Sequence, residues 1–174
     1  MTDIAVDSVL DLLRTSGQEA YLGEPVSVAE HSLQAARAAE LDDAGPSLVV
    51  AALLHDVGWL LRSGSRRHEE RGADYLATIF GPAVTEPVRL HVPAKRYLCT
   101  IDPDYRSVLS SASRRTLRSQ GGLLDEQARE AFAAEPYAGD AIRLRLYDDR
   151  AKIPGADVFD LDHYAPLVAS LRLR

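Results

Sequence analysis

From Leu48 to Leu54 the chain is apolar without a break, and the next two residues are His55 and Asp56. A helix built on seven apolar residues in a row has no polar face, so it must lie among other elements rather than on their surface. Pro46 is a favoured opening residue, and the pattern predicts a central helix over 47–61. Ending such a segment on an imidazole and a carboxylate is costly unless both are paired or metal-bound. Two readings stay open at this point, a buried His–Asp pair and part of a metal site.

The rest of the chain has apolar residues at helical rather than strand spacing, which predicts an all-α fold. Val6, Val9, Leu10, Leu12 and Leu13 mark a first helix that stops near Gly17. Tyr21 to Pro25 reads as a loop. Ser27 and Glu30 have capping-box spacing at the start of a helix reaching Ala39. A loop around Gly64 and Ser65 precedes a helix over 69–80. Pro82 and Pro87 frame a short helix reaching His91, with a kink or restart at Pro93. Asp102-Pro103-Asp104 reads as a turn. Further helices are expected over 110–120, 125–134 and 139–152, and from near Asp162.

A chain of 174 residues fits one domain. The formal charge of -6 disfavours nucleic acid and anionic membrane as partners. Asp3, Asp7 and Asp11 are unlike the start of a signal peptide. The longest apolar run is far short of the roughly 20 residues a membrane helix needs. The single cysteine, Cys99, allows no intrachain disulfide and suits the cytoplasm.

Four of the five histidines, His31, His55, His68 and His91, fall at helical positions that can converge. His31, His55-Asp56 and a late acid, Asp148 or Asp149, give the pattern H…HD…D, which offers imidazole nitrogens and carboxylate oxygens to a divalent metal. Arg145 and Asp148 are three apart and share a helix face. His68 and His91 exceed what one ion needs. If both turn inward they serve a second ion, with Asp56 bridging through its two oxygens. His163 reads as a surface or packing residue, and Arg114, Arg115 and Arg118 as a solvated face.

These stretches resemble the phosphonate-degrading branch of the HD-domain oxygenases, mixed-valent di-iron enzymes that cleave carbon–phosphorus bonds. The matching segments are Tyr21 to Val26 with His31, Leu53 to Gly58, His68 to Ala73, Glu86 to Leu98, Leu109 to Ser113, Gln120 to Gly122 and Arg145 to Lys152. They cover roughly residues 20 to 165 of what would be a single HD domain over 1–174. The resemblance implies a compact HD-domain helical bundle. It implies one iron held by His31, His55, Asp56 and Asp148, and another by Asp56, His68 and His91, with O2 as co-substrate. Lys95, Ser113, Thr116 and Arg145 would hold a small-molecule phosphonate. Tyr21 would be a lid that substrate displaces, and Glu24 would meet a substrate amine. Many relatives have histidine three residues after the Asp of the HD pair, and Trp59 replaces it here, which bears on substrate rather than metal.

The function expected on this basis is oxygen-dependent C–P cleavage of a small 1-hydroxyphosphonate, such as 2-amino-1-hydroxyethylphosphonate, giving phosphate and a carboxylate. A metal-dependent HD phosphohydrolase acting on a phosphate ester or nucleotide and a non-catalytic metal-containing regulatory module are the alternatives.

Overall fold

The Ser27 hydroxyl accepts from the Glu30 amide at 3.2 Å, and Glu30 Oε2 accepts from the Ser27 amide at 2.7 Å, so the capping box forms as its spacing predicts. The computed structural model describes residues 4–61 and 67–173, and the loop expected around Gly64 and Ser65 lies outside them. These residues form α1 (Ile4–Thr15), α2 (Val28–Leu41), α3 (Pro46–Leu54), α4 (Val57–Leu60), α5 (His68–Leu76) and α6 (Pro82–Ile101). The chain continues with α7 (Pro103–Val108), α8 (Ser111–Ser119), α9 (Glu126–Ala133), α10 (Ala138–Arg150) and α11 (Leu161–Ser170). Extended pairing among the described residues is limited to two isolated bridges, Ala20 with Ser27 and Phe80 with Arg172. The fold is all-α, and none of its described helices is long and apolar enough to cross a membrane.

Every residue from Leu48 to Leu54 is buried, and α3 packs against α2, α6, α10 and α11. The helix does not run on to Leu61. It stops at Leu54, and Asp56 takes a non-helical conformation (φ -101°, ψ 9°) before α4 begins. Consecutive residues of a continuous helix point about 100° apart and do not share a face. Interrupting the helix at this point lets His55 and Asp56 serve one cluster. α4 then presses on the start of α5. A Cβ on Gly58 would sit 2.0 Å from the His68 carbonyl oxygen, so only glycine permits this approach.

Three other boundaries differ from the sequence pattern. α6 is one helix of 20 residues running through Pro87 and Pro93, with no restart. Each interior proline costs an isolated helix about 3 kcal/mol, and packing against α3, α5 and α10 overrides that cost. Asp102-Pro103-Asp104 is a helix start rather than a simple turn, because Asp102 Oδ1 accepts from the amides of Asp104 and Tyr105 at 2.9 and 3.1 Å. α5 ends at Leu76, where the sequence pattern ran on to Phe80.

Candidate metal centre

Five elements deliver six side chains to one buried point. His31 comes from α2, His55 and Asp56 from the α3–α4 break, His68 from the first residue of α5, His91 from the middle of α6 and Asp148 from the last turns of α10. None is more than 4% exposed. On one side, Asp56 Oδ2 lies 3.6 Å from His31 Nε2 and 3.4 Å from His55 Nε2, and Asp148 Oδ1 lies 3.4 Å from His31 Nε2. On the other side, Asp56 Oδ1 lies 3.1 Å from His68 Nε2 and 3.7 Å from His91 Nε2. The Nε2 atoms are 3.1 Å apart within each histidine pair. The two oxygens of one carboxylate therefore face two separate pairs of imidazoles.

The backbone fixes how those imidazoles present themselves. His31 Nδ1 donates to the Ala151 carbonyl at 2.7 Å, His55 Nδ1 to that of Ala52 at 2.8 Å, and His91 Nδ1 to that of Val88 at 2.7 Å. A carbonyl only accepts, so Nδ1 carries a proton and each ring, when neutral, turns its Nε2 lone pair into the cluster. His68 is held less firmly. Among the described residues its Nδ1 makes no hydrogen bond, and it lies 3.3 Å from Glu69 Oε2.

The donor set fits divalent metal. Among the described residues, both oxygens of Asp56 and Oδ1 of Asp148 are buried without a hydrogen-bond donor, an arrangement expensive in a protein interior unless a cation satisfies it. Metal–ligand bonds of about 2.1 Å place neighbouring ligand atoms roughly 3.0–3.4 Å apart, close to the separations seen. His31, His55 and Asp56, and separately Asp56, His68 and His91, form groups able to hold an ion. In the metal-free protein, burial pushes His31 down to about 4 and His91 to about 3. Burial opposes the His55 imidazolium too, but Asp56 and then Asp148 outweigh it and lift this histidine to about 9. His55 thus carries a proton near neutral pH in the metal-free protein. Asp148 is held far below the usual carboxylate range despite its burial, chiefly by Arg145.

Beside the cluster lies a cleft with about 380 Å³ of empty space, its open mouth included, lined by Tyr21, Glu24, Trp59, Lys95, Ser113, Thr116, Arg145 and Lys152. The Tyr21 ring stacks on His31 with centroids 4.1 Å apart, and Trp59 stacks on His68 at 4.3 Å. Burial, then the charges of Asp56 and Asp148, keep the Tyr21 phenol protonated. The loop that carries Tyr21 is closed by a Glu24 amide to Tyr21 carbonyl bond of 2.7 Å and holds Leu22 at φ 47°, a strained conformation for that residue. Glu24 Oε1 accepts from the Ser110 hydroxyl at 2.5 Å.

Three cations share this cleft. Lys95 is almost wholly buried, and its Nζ donates to Thr116 Oγ1 at 2.9 Å. Burial, then the Arg145 charge, lowers this lysine to about 8. Arg145 donates to Asp148 Oδ2 at 2.6 Å, to both Asp149 oxygens, to Tyr105 Oη and to Ser113 Oγ. Lys152 Nζ donates to Ser113 Oγ at 3.2 Å. The Ser113 hydroxyl thus accepts from two cations, which turns its own proton toward the open space.

Each of the thirteen side chains the sequence marked lies in the cluster or lines the cleft. The choice between Asp148 and Asp149 resolves by rotation about α10, Asp148 facing His31 and Asp149 facing Arg145 and Tyr105. His163 stays apart from the cluster and bonds Glu40 at 3.0 Å. Sequence reasoning gave no role to Lys152, Tyr105 or Gln34. Gln34 clamps the Ile153 backbone through both ends of its amide, at 2.8 and 3.0 Å, and so steadies the turn whose Ala151 carbonyl orients His31. Only Lys152 carried a signal, its four-residue spacing from Asp148.

An all-α bundle that gathers four histidines and two aspartates around a buried His-Asp dipeptide is the architecture of an HD-type metal protein. No family model matches the chain. The hydroxymethylphosphonate dioxygenase of Gimesia maris is 42% identical to it over 95% of this chain and 87% of its own length. The [1-hydroxy-2-(trimethylamino)ethyl]phosphonate dioxygenase (glycine-betaine-forming) of Leisingera caerulea is 40% identical over 87% of this chain and 82% of its own. An uncharacterised protein of Acanthamoeba polyphaga mimivirus is 32% identical over 94% of this chain and 80% of its own. The chain belongs to the phosphonate-degrading branch of the HD-domain oxygenases, and it is an oxidoreductase of that family.

Proposed function

We propose that the chain, as a single HD domain over 1–174, is a di-iron oxygenase that uses O2 to cleave the carbon–phosphorus bond of a small 1-hydroxyphosphonate. The observation that carries this reading is Asp56, whose two oxygens address two histidine pairs beside a cation-lined cleft. A mononuclear HD phosphohydrolase has no need of the second pair, and hydrolysis has no need of a phenol stacked over the first. The two named relatives act, by their names, on 1-hydroxyphosphonates.

In this reading His31, His55, Asp56 and Asp148 hold one iron, and Asp56, His68 and His91 the other. The irons, mixed-valent in the active form, would pass electrons from substrate to O2 and supply the Lewis acidity that the substrate requires. The protein's own residues do the rest. Lys95, Ser113, Thr116 and Arg145 bind the phosphonate by charge-assisted hydrogen bonds. Tyr21 covers His31 until substrate enters, Trp59 narrows the cleft over His68, and Glu24 sits where a substrate substituent would lie. For the simplest substrate, hydroxymethylphosphonate, a C–P and a C–H bond break, the carbon is oxidised to formate, O2 is reduced, and phosphate leaves with one of its oxygens. The lone buried Cys99 suits a cytoplasmic enzyme.

The test is to incubate the iron-loaded protein with 1-hydroxyphosphonates and with phosphate esters, in air and under strict anaerobiosis. Phosphate should come from a 1-hydroxyphosphonate in air alone. Full turnover without oxygen would refute the oxygenase reading.

A further inference from the structure

Counting hydrogen-bond donors separates the three cations of the cleft. An arginine has five N–H donors and a lysine ammonium three. Arg145 spends its Nε–H on Asp149 and Tyr105, one Nη1–H on Asp148, and its two Nη2–H on Asp149 and Ser113. One Nη1–H remains, so the planar fork is closed to two-point binding of an anion. Lys152 differs. Its only hydrogen bond among the described residues is to Ser113 Oγ at 3.2 Å. The carboxylates of Asp148, Asp149 and Glu24 stand off at 3.6, 3.8 and 3.8 Å, too far to take its protons. They pair with it as ions and leave its remaining protons unspent. The ammonium rests on the hydroxyl at the cleft wall, its side chain 11% exposed.

We propose that Lys152 is a substrate-binding residue, which with Lys95 supplies most of the cationic grip on the phosphonate, while Arg145 adds its one remaining Nη1–H and holds Asp148, Asp149 and Ser113 in place. The inference rests on the phosphonate reading above. Ser113 sits between Lys152 and Arg145 and turns its hydroxyl proton toward the anion. Two lysine ammoniums with four unspent N–H donors and one serine hydroxyl suit the three oxygens of a doubly charged phosphonate. The same Lys152 lies near Glu24, so substrate entry and the position of the Tyr21 loop share one cation.

Trp59 is the sole tryptophan of the chain and lines this cleft, so its fluorescence reports occupancy. The experiment titrates the iron-loaded protein with methylphosphonate, which has no hydroxyl group to oxidise, and with its singly charged monomethyl ester. Lys152→Met and Lys152→Gln should bind methylphosphonate about 10- to 100-fold more weakly than wild type at unchanged iron content, the range of one charge-assisted hydrogen bond. The ester should lose much less, and Lys152→Arg should recover most of the binding. Wild-type affinity in both neutral variants, or an equal loss for the ester, would overturn the role of Lys152 and leave the functional reading intact. Loss of iron from both neutral variants would assign Lys152 to the fold instead and overturn it equally. A wild-type protein that binds no methylphosphonate would overturn the phosphonate reading and this inference together.

Discussion

His31 and His55 are each locked by a backbone carbonyl, whereas in the second pair, among the described residues, only His91 is. The first pair also has Asp148 as a further carboxylate, and Gln34 steadies the turn behind His31. His68 begins its helix and has the partly exposed Trp59 as its cover. Ligands pre-oriented by backbone bonds lose less freedom when they bind an ion. The side built on α2, α3 and α10 should therefore hold an ion more tightly than the side built on α5 and α6. The shared carboxylate ties the halves together, so breaking it should tell more than removing any one imidazole.

The largest effect is expected from Asp56→Ala. If its two oxygens serve two ions, metal analysis should find both lost and turnover at background. Retention of one full equivalent would show that Asp56 does not bridge. Next comes the contrast between the halves. His68→Ala should keep about one metal per chain and weaken the second at least 10-fold, the scale of a lost supporting contact, while His31→Ala should deplete both. Equal losses in the two variants would erase the asymmetry.

Protonation sharpens the comparison further. His31 and His91 stay neutral in the metal-free fold down to about 4 and about 3, against 6.5 unfolded. As pH falls below 6.5 the unfolded chain takes up two protons that the folded chain refuses, so stability is lost in that window. His55, raised to about 9, works the other way: its contribution is full below 6.5 and is lost as pH rises through 9. The melting temperature of the metal-free protein should therefore drop between pH 6.5 and 4, and metal affinity should rise with pH up to about 9 as His55 gives up its proton. A flat melting profile between those limits would contradict the buried neutral histidines.

The smallest effects belong to the cleft wall. Trp59→His should shift the preferred substrate by a few-fold, because the indole stacks over His68 and narrows the space beside it. Tyr21→Phe should leave metal content unchanged and raise oxygen uptake per phosphate released, since the phenol covers His31. Unchanged specificity in the first and unchanged coupling in the second would remove both roles.

How much of this was legible in the sequence depends on the range of the interaction. The Ser27–Glu30 box and the helix start at Pro46 are local, and both formed as their patterns predict, although that helix ends at Leu54 rather than Leu61. The His-Asp dipeptide announced itself because it ends a run with no polar face. The break at Asp56 was not legible, because it answers to ligands from other helices. Pro87 and Pro93 argue locally for two helices, and packing on three neighbours decides for one. Asp148 and Asp149 differ by one step of helix rotation, which sequence spacing alone does not fix. Tyr105 reaches Arg145 from 40 residues away, with no pattern linking them.

The most direct test of the account is turnover of hydroxymethylphosphonate by the iron-loaded protein under 18O2. Cleavage by a dioxygenase predicts one labelled oxygen in formate and one in phosphate. Phosphate that takes its new oxygen from water, with no label in either product, would contradict it.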